Sequence, residues 1–308
     1  MKTVRKINKK RESKNRLIFY ILGVSWPVLQ FVVFYLLVNF NSISLAFKKY
    51  DIDSVSYIFA GFDNFKDVFE KFKEPLLSQA MVNTFKVFGI HLITMFIPII
   101  MSYYLFKKYF LHSFFKVVLF MPSIVASMAL VLCFKYFVEI GVPDIMSNVF
   151  NKEIQGLITN PNTIWGTILF FSIWFSMGAN FLLYAGAMNS ISESILEAAQ
   201  LDGVNVLQEF VYIVFPMIWP TFVTFLVTSF ATLFTNQLHL FSFFGSQPPS
   251  DSVYTIGYYL YKRANEVGVS KVAEYPFLSA MGIVLTLIVM PLCFGTRWLL
   301  NKIGPKTE

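Results

Sequence analysis

From Leu17 to Val38 the chain runs 22 residues without one charged side chain. Coiled as a helix at 1.5 Å per residue, that stretch is about 33 Å long, enough to cross a hydrocarbon layer of about 30 Å. Lipid offers no water to backbone N–H and C=O groups, so such a run has to satisfy them internally as a helix. Five further apolar runs follow, at about 83–106, 114–138, 163–188, 217–240 and 277–300. The expected fold class is an all-α integral membrane protein with six transmembrane helices. A signal peptide fits the first run poorly, because it is long, contains Trp26-Pro27 and has no small-residue cleavage site.

Composition agrees. Only 14% of the 308 residues are charged and 56% are hydrophobic, against roughly a quarter charged in soluble domains. The 36 Phe and 15 Tyr suit lipid-facing surfaces and interfacial belts. The net charge of +7 is no nucleic-acid signal, because eight basic residues crowd into positions 1–16. That stretch reads as a basic cytoplasmic tail, which orients the first span. Residues 17–308 then form a single transmembrane domain with both termini cytoplasmic. Loops at 39–80, 139–162 and 241–276 fall outside, and no internal repeat or separate soluble domain is visible.

The charged island between the fourth and fifth spans, residues 189–216, carries four acids and no Lys or Arg. Ser194 to Leu201 is made of good helix formers, and Gly203 is a natural residue to end the helix at positive φ. Glu193 and Glu197 lie four apart on one side, and Ile195, Leu196 and Leu201 supply apolar contacts. Ala198 and Ala199 leave the backbone open to close approach by another surface. Taken alone, this is an amphipathic linker between membrane helices.

The pattern Glu197-Ala198-Ala199, two spacers, Asp202-Gly203, then Phe210 and Pro216, resembles the cytoplasmic coupling loop of ABC importer permeases. Ser192 and Val204 stand where that family usually has Pro and Ala. Three shorter matches are similar to the maltose-transporter-like carbohydrate branch: Gly61-Phe62-x-Asn64-Phe65, Asn83-Thr84 and Phe120-Met121-Pro122. The resemblance implies a permease subunit in a bacterial plasma membrane, importing a small-molecule solute of the carbohydrate class by alternating access. It implies three kinds of partner besides the lipid bilayer and the solute: a second homologous permease, two ATPase subunits and an extracellular solute-binding protein. Glu197, Ala198, Ala199, Asp202 and Gly203 would then form the ATPase-coupling helix.

Chemistry of its own is missing from the chain. It has no phosphate loop, no C-x-x-C and no H-E-x-x-H, so neither a metal nor a cofactor is expected, and no catalytic residue. Cys133 and Cys293 lie in apolar segments, which argues against a disulfide. ATP hydrolysis is expected on the partner subunits. An ion-coupled secondary transporter is the main alternative, and such proteins usually carry acids or histidines inside spans. Here the acids lie in loops or at span ends, while His91 and His239 read as interfacial residues. A permease of the same type for a non-sugar solute remains a further alternative.

For a solute path, Ser229, Leu233 and Asn236 fall at spacings of four and three, hence on one face of the fifth span, with Thr232 beside them. Small polar residues there could equally pack helices. In maltose-type permeases the matching face touches sugar; Ser229 and Asn236 match, and Leu233 replaces a polar residue. The fourth span adds Trp174, which matches, and Ser176 and Asn180, which do not but share the region.

Overall fold

A computed structural model describes residue 16, residues 18–266 and residues 269–305, with only the backbone at 269–271. The basic tail thus lies outside the described residues except for Arg16. Among the described residues, four helices are long and apolar enough to cross a membrane, and there are up to six such spans if each of two bent pairs counts as one. Two compact units form, residues 1–68 with 268–283, and residues 69–267 with 284–308.

In the first unit, helix α1 (Ile18–Leu45) continues seven residues past the end of the apolar run that announces it. Every side chain from Ile18 to Ile43 is exposed. So much uncovered apolar surface is stable only in lipid or against another protein. After it, β1 (Lys48–Asp51) and β2 (Ser56–Phe59) pair antiparallel, with Tyr50 opposite Tyr57. This hairpin is the one departure from an all-α chain among the described residues. Asn64, in α2 (Asp63–Lys71), is buried and donates to the carbonyls of Ala46 (2.8 Å) and Lys48 (2.6 Å). Those bonds give the Asn of the Gly61–Phe65 motif a structural task, fastening the end of α1 to the hairpin.

The second unit begins with α3 (Pro75–Thr94) and α4 (Phe96–Phe106), which run on as one span of 32 residues. Pro75 sits at the first helical turn, where its missing N–H costs nothing. The expected span began eight residues later, at 83, so His91 lies near the middle of the helix and not near an end. Its placement near an end of the span is thereby corrected. The expected continuous third span is broken: α5 (His112–Ile124) and α6 (Ser127–Phe150) meet at 106°. Val125 and Ala126 leave the helical region there (ψ 141° and 125°), one turn after Pro122 removes a donor from the ladder.

Helix α7 (Ile164–Asn189) matches the fourth expected span within a residue at each end. A Cβ on Gly178 would stand 2.9 Å from Leu119 O, so only glycine lets α5 and α7 approach this closely. Ser102 Oγ on α4 lies 2.8 Å from Phe181 O on α7 and 2.7 Å from Pro98 O in its own helix, so its one hydroxyl proton is shared between the two carbonyls.

After the short α8 (Glu193–Leu201), α9 (Val206–Met217) and α10 (Trp219–Ala231) bend by 69° at Ile218, between Pro216 and Pro220. The expected fifth span, 217–240, therefore ends early: α10 stops at Ala231, turns occupy 232–239, and α11 (Leu240–Phe244) follows. Finally α12 (Ile256–Asn265) leads to α13 (Val269–Ile303), the last apolar helix.

Two apolar cores form in this unit. One joins Met95, Ile99 and Tyr103 to Tyr184, Met188, Val214, Ile218 and Phe222. The other gathers Val131, Val138, Ile158, Phe171 and Phe243. Along α7 they are separated by residues 176–183.

Candidate functional site

Two places in the second unit gather the residues singled out by the sequence. The first is the loop from Asn189 to Pro216. Ser192 is extended, α8 follows, and Asp202 closes it. Gly203 has φ +75°, its N–H bonds Gln200 O (3.1 Å), and Val204 N–H bonds Ala199 O (3.1 Å). These paired bonds are the glycine-terminated helix end that the spacing predicts. Asn205 then starts α9 with a reciprocal cap, accepting from Gln208 N (2.9 Å) while its own N–H bonds Gln208 Oε1 (3.0 Å).

Ala199 is buried, as is Ile191, and Leu196 is half-buried, whereas Glu197, Ala198, Asp202 and Gly203 are exposed. Leu201 is 90% exposed and Leu207 71%. A charged and alanine-lined helix is thus flanked by bare leucines, a surface shaped for another protein.

Behind the loop lies a contact with no precedent in the sequence reading. Glu209, 4% exposed, accepts from Lys107 Nζ at 2.9 and 3.0 Å and from Tyr103 O–H at 3.0 Å. Tyr103 O–H also lies 3.2 Å from Val206 O. The signal was present, since an acid that opens an apolar run such as Phe210–Phe215 must find a cation before it enters lipid.

The second place lies among α3, α7, α10 and the turns that follow α10. A cavity of about 120 Å³ is lined by His91, Thr94, Ser172, Ser176, Asn236 and His239, among others. A second, of about 100 Å³, is lined by Thr84, His91, Ser229, Thr232, Leu233 and Asn236, among others. Val87, His91 and Asn236 belong to both. His91 Nε2 lies 3.1 Å from Ser229 Oγ. Ser229 already donates its single hydroxyl proton to Phe225 O (2.9 Å), so His91 is the donor in this pair. Asn236 accepts from Leu238 N–H (3.0 Å), and its amide N–H₂ has no partner among the described residues. His239 stands edge-on to Phe171 and Phe175, with centroids 5.6 and 4.7 Å away.

The structure thus brings Ser176, Ser229, Thr232 and Asn236 together. Asn236 arrives by the turn after α10 and not by the helical face inferred from spacing. Trp174 and Asn180 line neither cavity; Trp174 packs edge-on against Phe171 (6.2 Å) beside the second core. His91 and His239 were set aside by the sequence reading and are the additions. Asn83 and Thr84 prove structural. Asn83 donates to Ser252 O (2.8 Å) and Tyr254 O (2.9 Å), and Thr84 Oγ1 accepts from Ile256 N–H (2.9 Å), which holds the segment before α12.

Residues 92–308 match the family described as "Binding-protein-dependent transport system inner membrane component". The chain belongs to this family. The permease is 22% identical over 271 residues to the arabinooligosaccharides transport system permease protein AraP of Bacillus subtilis, covering 85% of this chain and 82% of AraP. It is 25% identical over 236 residues to the lactose transport system permease protein LacF of Rhizobium radiobacter, covering 72% and 75%. Its fold matches a chain in the crystal structure of a bacterial alginate ABC transporter in complex with alginate pentasaccharide-bound periplasmic protein. That match has a TM-score of 0.76 at 19% identity and covers 96% of this chain and 99% of the other. The permease is therefore a membrane-embedded transport component of an ABC importer, and the resemblance carried by the Glu197–Gly203 motif holds.

Proposed function

We propose that the permease carries a sugar or oligosaccharide inward across a bacterial plasma membrane by alternating access. It pairs with a second homologous permease, two ATPase subunits and an extracellular solute-binding protein. In this reading the chain crosses the membrane six times, each bent pair counting once, with both termini and α8 in the cytoplasm. The observation that carries the reading is α8 itself: a short helix with exposed Glu197, Ala198 and Leu201, ended at Gly203 and followed by α9, whose Glu209 is tied to the end of α4.

A helix seated in a groove of an ATPase subunit would move with that subunit when ATP closes the ATPase pair. The Lys107–Glu209 contact passes the movement to α4, and the helices on either side, α7 and α9, pass it to the cavities. There His91, Ser176, Ser229 and Asn236 offer donors and acceptors for sugar hydroxyls, with the rings of Phe175 and His239 beside them. The second permease would close the other side of this site. Relatives that serve arabinooligosaccharides and lactose support a carbohydrate as the solute.

Ala198→Trp tests the docking. In the reconstituted complex, solute-stimulated ATPase activity should fall at least roughly tenfold with the subunit still inserted, because a bulky ring blocks close approach. Stimulation equal to wild type would remove α8 from the coupling role.

A further inference from the structure

At the membrane end that carries α8, a cavity of about 390 Å³ opens between the α4–α5 turn and the last turns of α7. Lys108, His112 and Lys116 stand around it, and Phe106, Phe181 and Leu182 are among its apolar walls. Lys107 next door is consumed by Glu209, but Lys108 and Lys116 have no acidic partner among the described residues. Three cationic or protonatable groups within nine positions, with no acid set against them, repel one another unless an anion joins them.

The backbone is bent to produce this arrangement. Lys108 and Leu111 both have positive φ (53° and 56°), a conformation that costs a non-glycine residue about 1 kcal/mol each. His112 Nδ1 lies 3.2 Å from Tyr109 O, so the ring donates there, and Ser113 Oγ is 3.2 Å from Nε2. Next to the cavity the outer surface is bare and apolar, with Phe110 83% and Val117 67% exposed. A fully soluble anion would gain nothing from that surface or from the phenylalanine walls. A phosphodiester with two acyl chains would use both, its headgroup among the lysines and its chains along α5.

We infer that this cavity is a binding site for an anionic phospholipid, with Lys108 and Lys116 holding the headgroup phosphate. The inference rests on the proposed orientation, which places this end at the cytoplasmic leaflet. Basic pockets between spans at that face are suited to acidic headgroups. Ala185 and Asn189 on α7 border the same cavity, immediately before the chain enters α8. A lipid seated there would therefore brace the helix that leads into the coupling loop.

The test uses the assembled transporter in nanodiscs of equal phosphatidylglycerol and phosphatidylcholine, with retained lipids counted by native mass spectrometry after release into detergent. Wild type should retain phosphatidylglycerol in preference to phosphatidylcholine. Lys108→Gln/Lys116→Gln should weaken that retention by on the order of tenfold or more, at about 1 kcal/mol per lysine. Lys108→Arg/Lys116→Arg should preserve it, and so should Lys48→Gln/Lys66→Gln, which removes two charges elsewhere. Equal retention of the two lipids by wild type would overturn the inference without any variant. So would unchanged retention in the Gln double variant, or displacement of the lipid by millimolar inorganic phosphate, which would mark a site for the free anion. None of these readouts depends on transport, so failure here is distinct from failure of the importer reading.

Discussion

Lys107 Nζ lies 2.9 Å from Glu209 Oε1, with side chains 18% and 5% exposed. This buried pair joins the end of α4 to the first turn of α9, and Tyr103 O–H completes the carboxylate's set of donors. Removing one partner strands a charge, at a cost of about 3–5 kcal/mol. Lys107→Met should therefore shorten the thermal half-life of the purified permease far more than Lys107→Met/Glu209→Met, which leaves no charge unpaired. Equal half-lives for the single and double variants would show the pair to be incidental.

Asn83 donates to two carbonyls that no other side chain reaches among the described residues, Ser252 O and Tyr254 O. Asn83→Leu leaves Tyr254 O without that donor in a buried place, at about 1–3 kcal/mol, and also removes the part-buried bond to Ser252 O. The segment before α12 should then become open to limited proteolysis while α7 stays protected. A digestion pattern identical to wild type would contradict the anchoring role.

Gly203 carries the end of α8 at φ +75° with open space around it. The penalty of a substitution there is thus conformational and not steric: about 1–2 kcal/mol for Gly203→Ala. We expect weaker coupling, with solute-stimulated ATPase activity reduced and basal activity retained. Full stimulation in Gly203→Ala would mean that the helix end tolerates another geometry.

Orientation has its own check. Ser194→Cys should react with an impermeant thiol reagent only after cells are opened, and Ser250→Cys should react in intact cells. The reverse pattern would overturn the assigned sides.

Local chemistry was the legible part of this chain. The α7 boundaries follow from an uninterrupted apolar run, and the end of α8 follows from Gly203, because both depend on residues a few positions apart. Breaks set by distant contacts were not legible. The turn at Val125–Ala126 carries no signal beyond Pro122, which helices in membranes often accommodate. Asn236 keeps a helical spacing to Ser229, yet α10 has already ended. The turns that follow give Leu238 and His239 positive φ and bring the His239 ring against Phe171 and Phe175, more than sixty positions earlier. His91 was misjudged for a related reason, since its place along the span depends on where α3 begins and Pro75 sets that beginning well before the apolar run. The Lys107–Glu209 pair spans 102 positions, beyond any pattern of local spacing.

The account stands on the two cavities that share His91 and Asn236 being the solute path, and Asn236→Leu tests that most directly. Asn236 lines both cavities, its amide N–H₂ has no partner among the described residues, and its side chain supports only the local Leu238 N–H. Uptake of the transported sugar by proteoliposomes holding the assembled complex should fall at least roughly tenfold, the loss of one or two hydrogen bonds to solute. Assembly and basal ATPase activity should stay near wild type. Unchanged uptake, or a complex that no longer assembles, would make Asn236 a packing residue and contradict the assigned path.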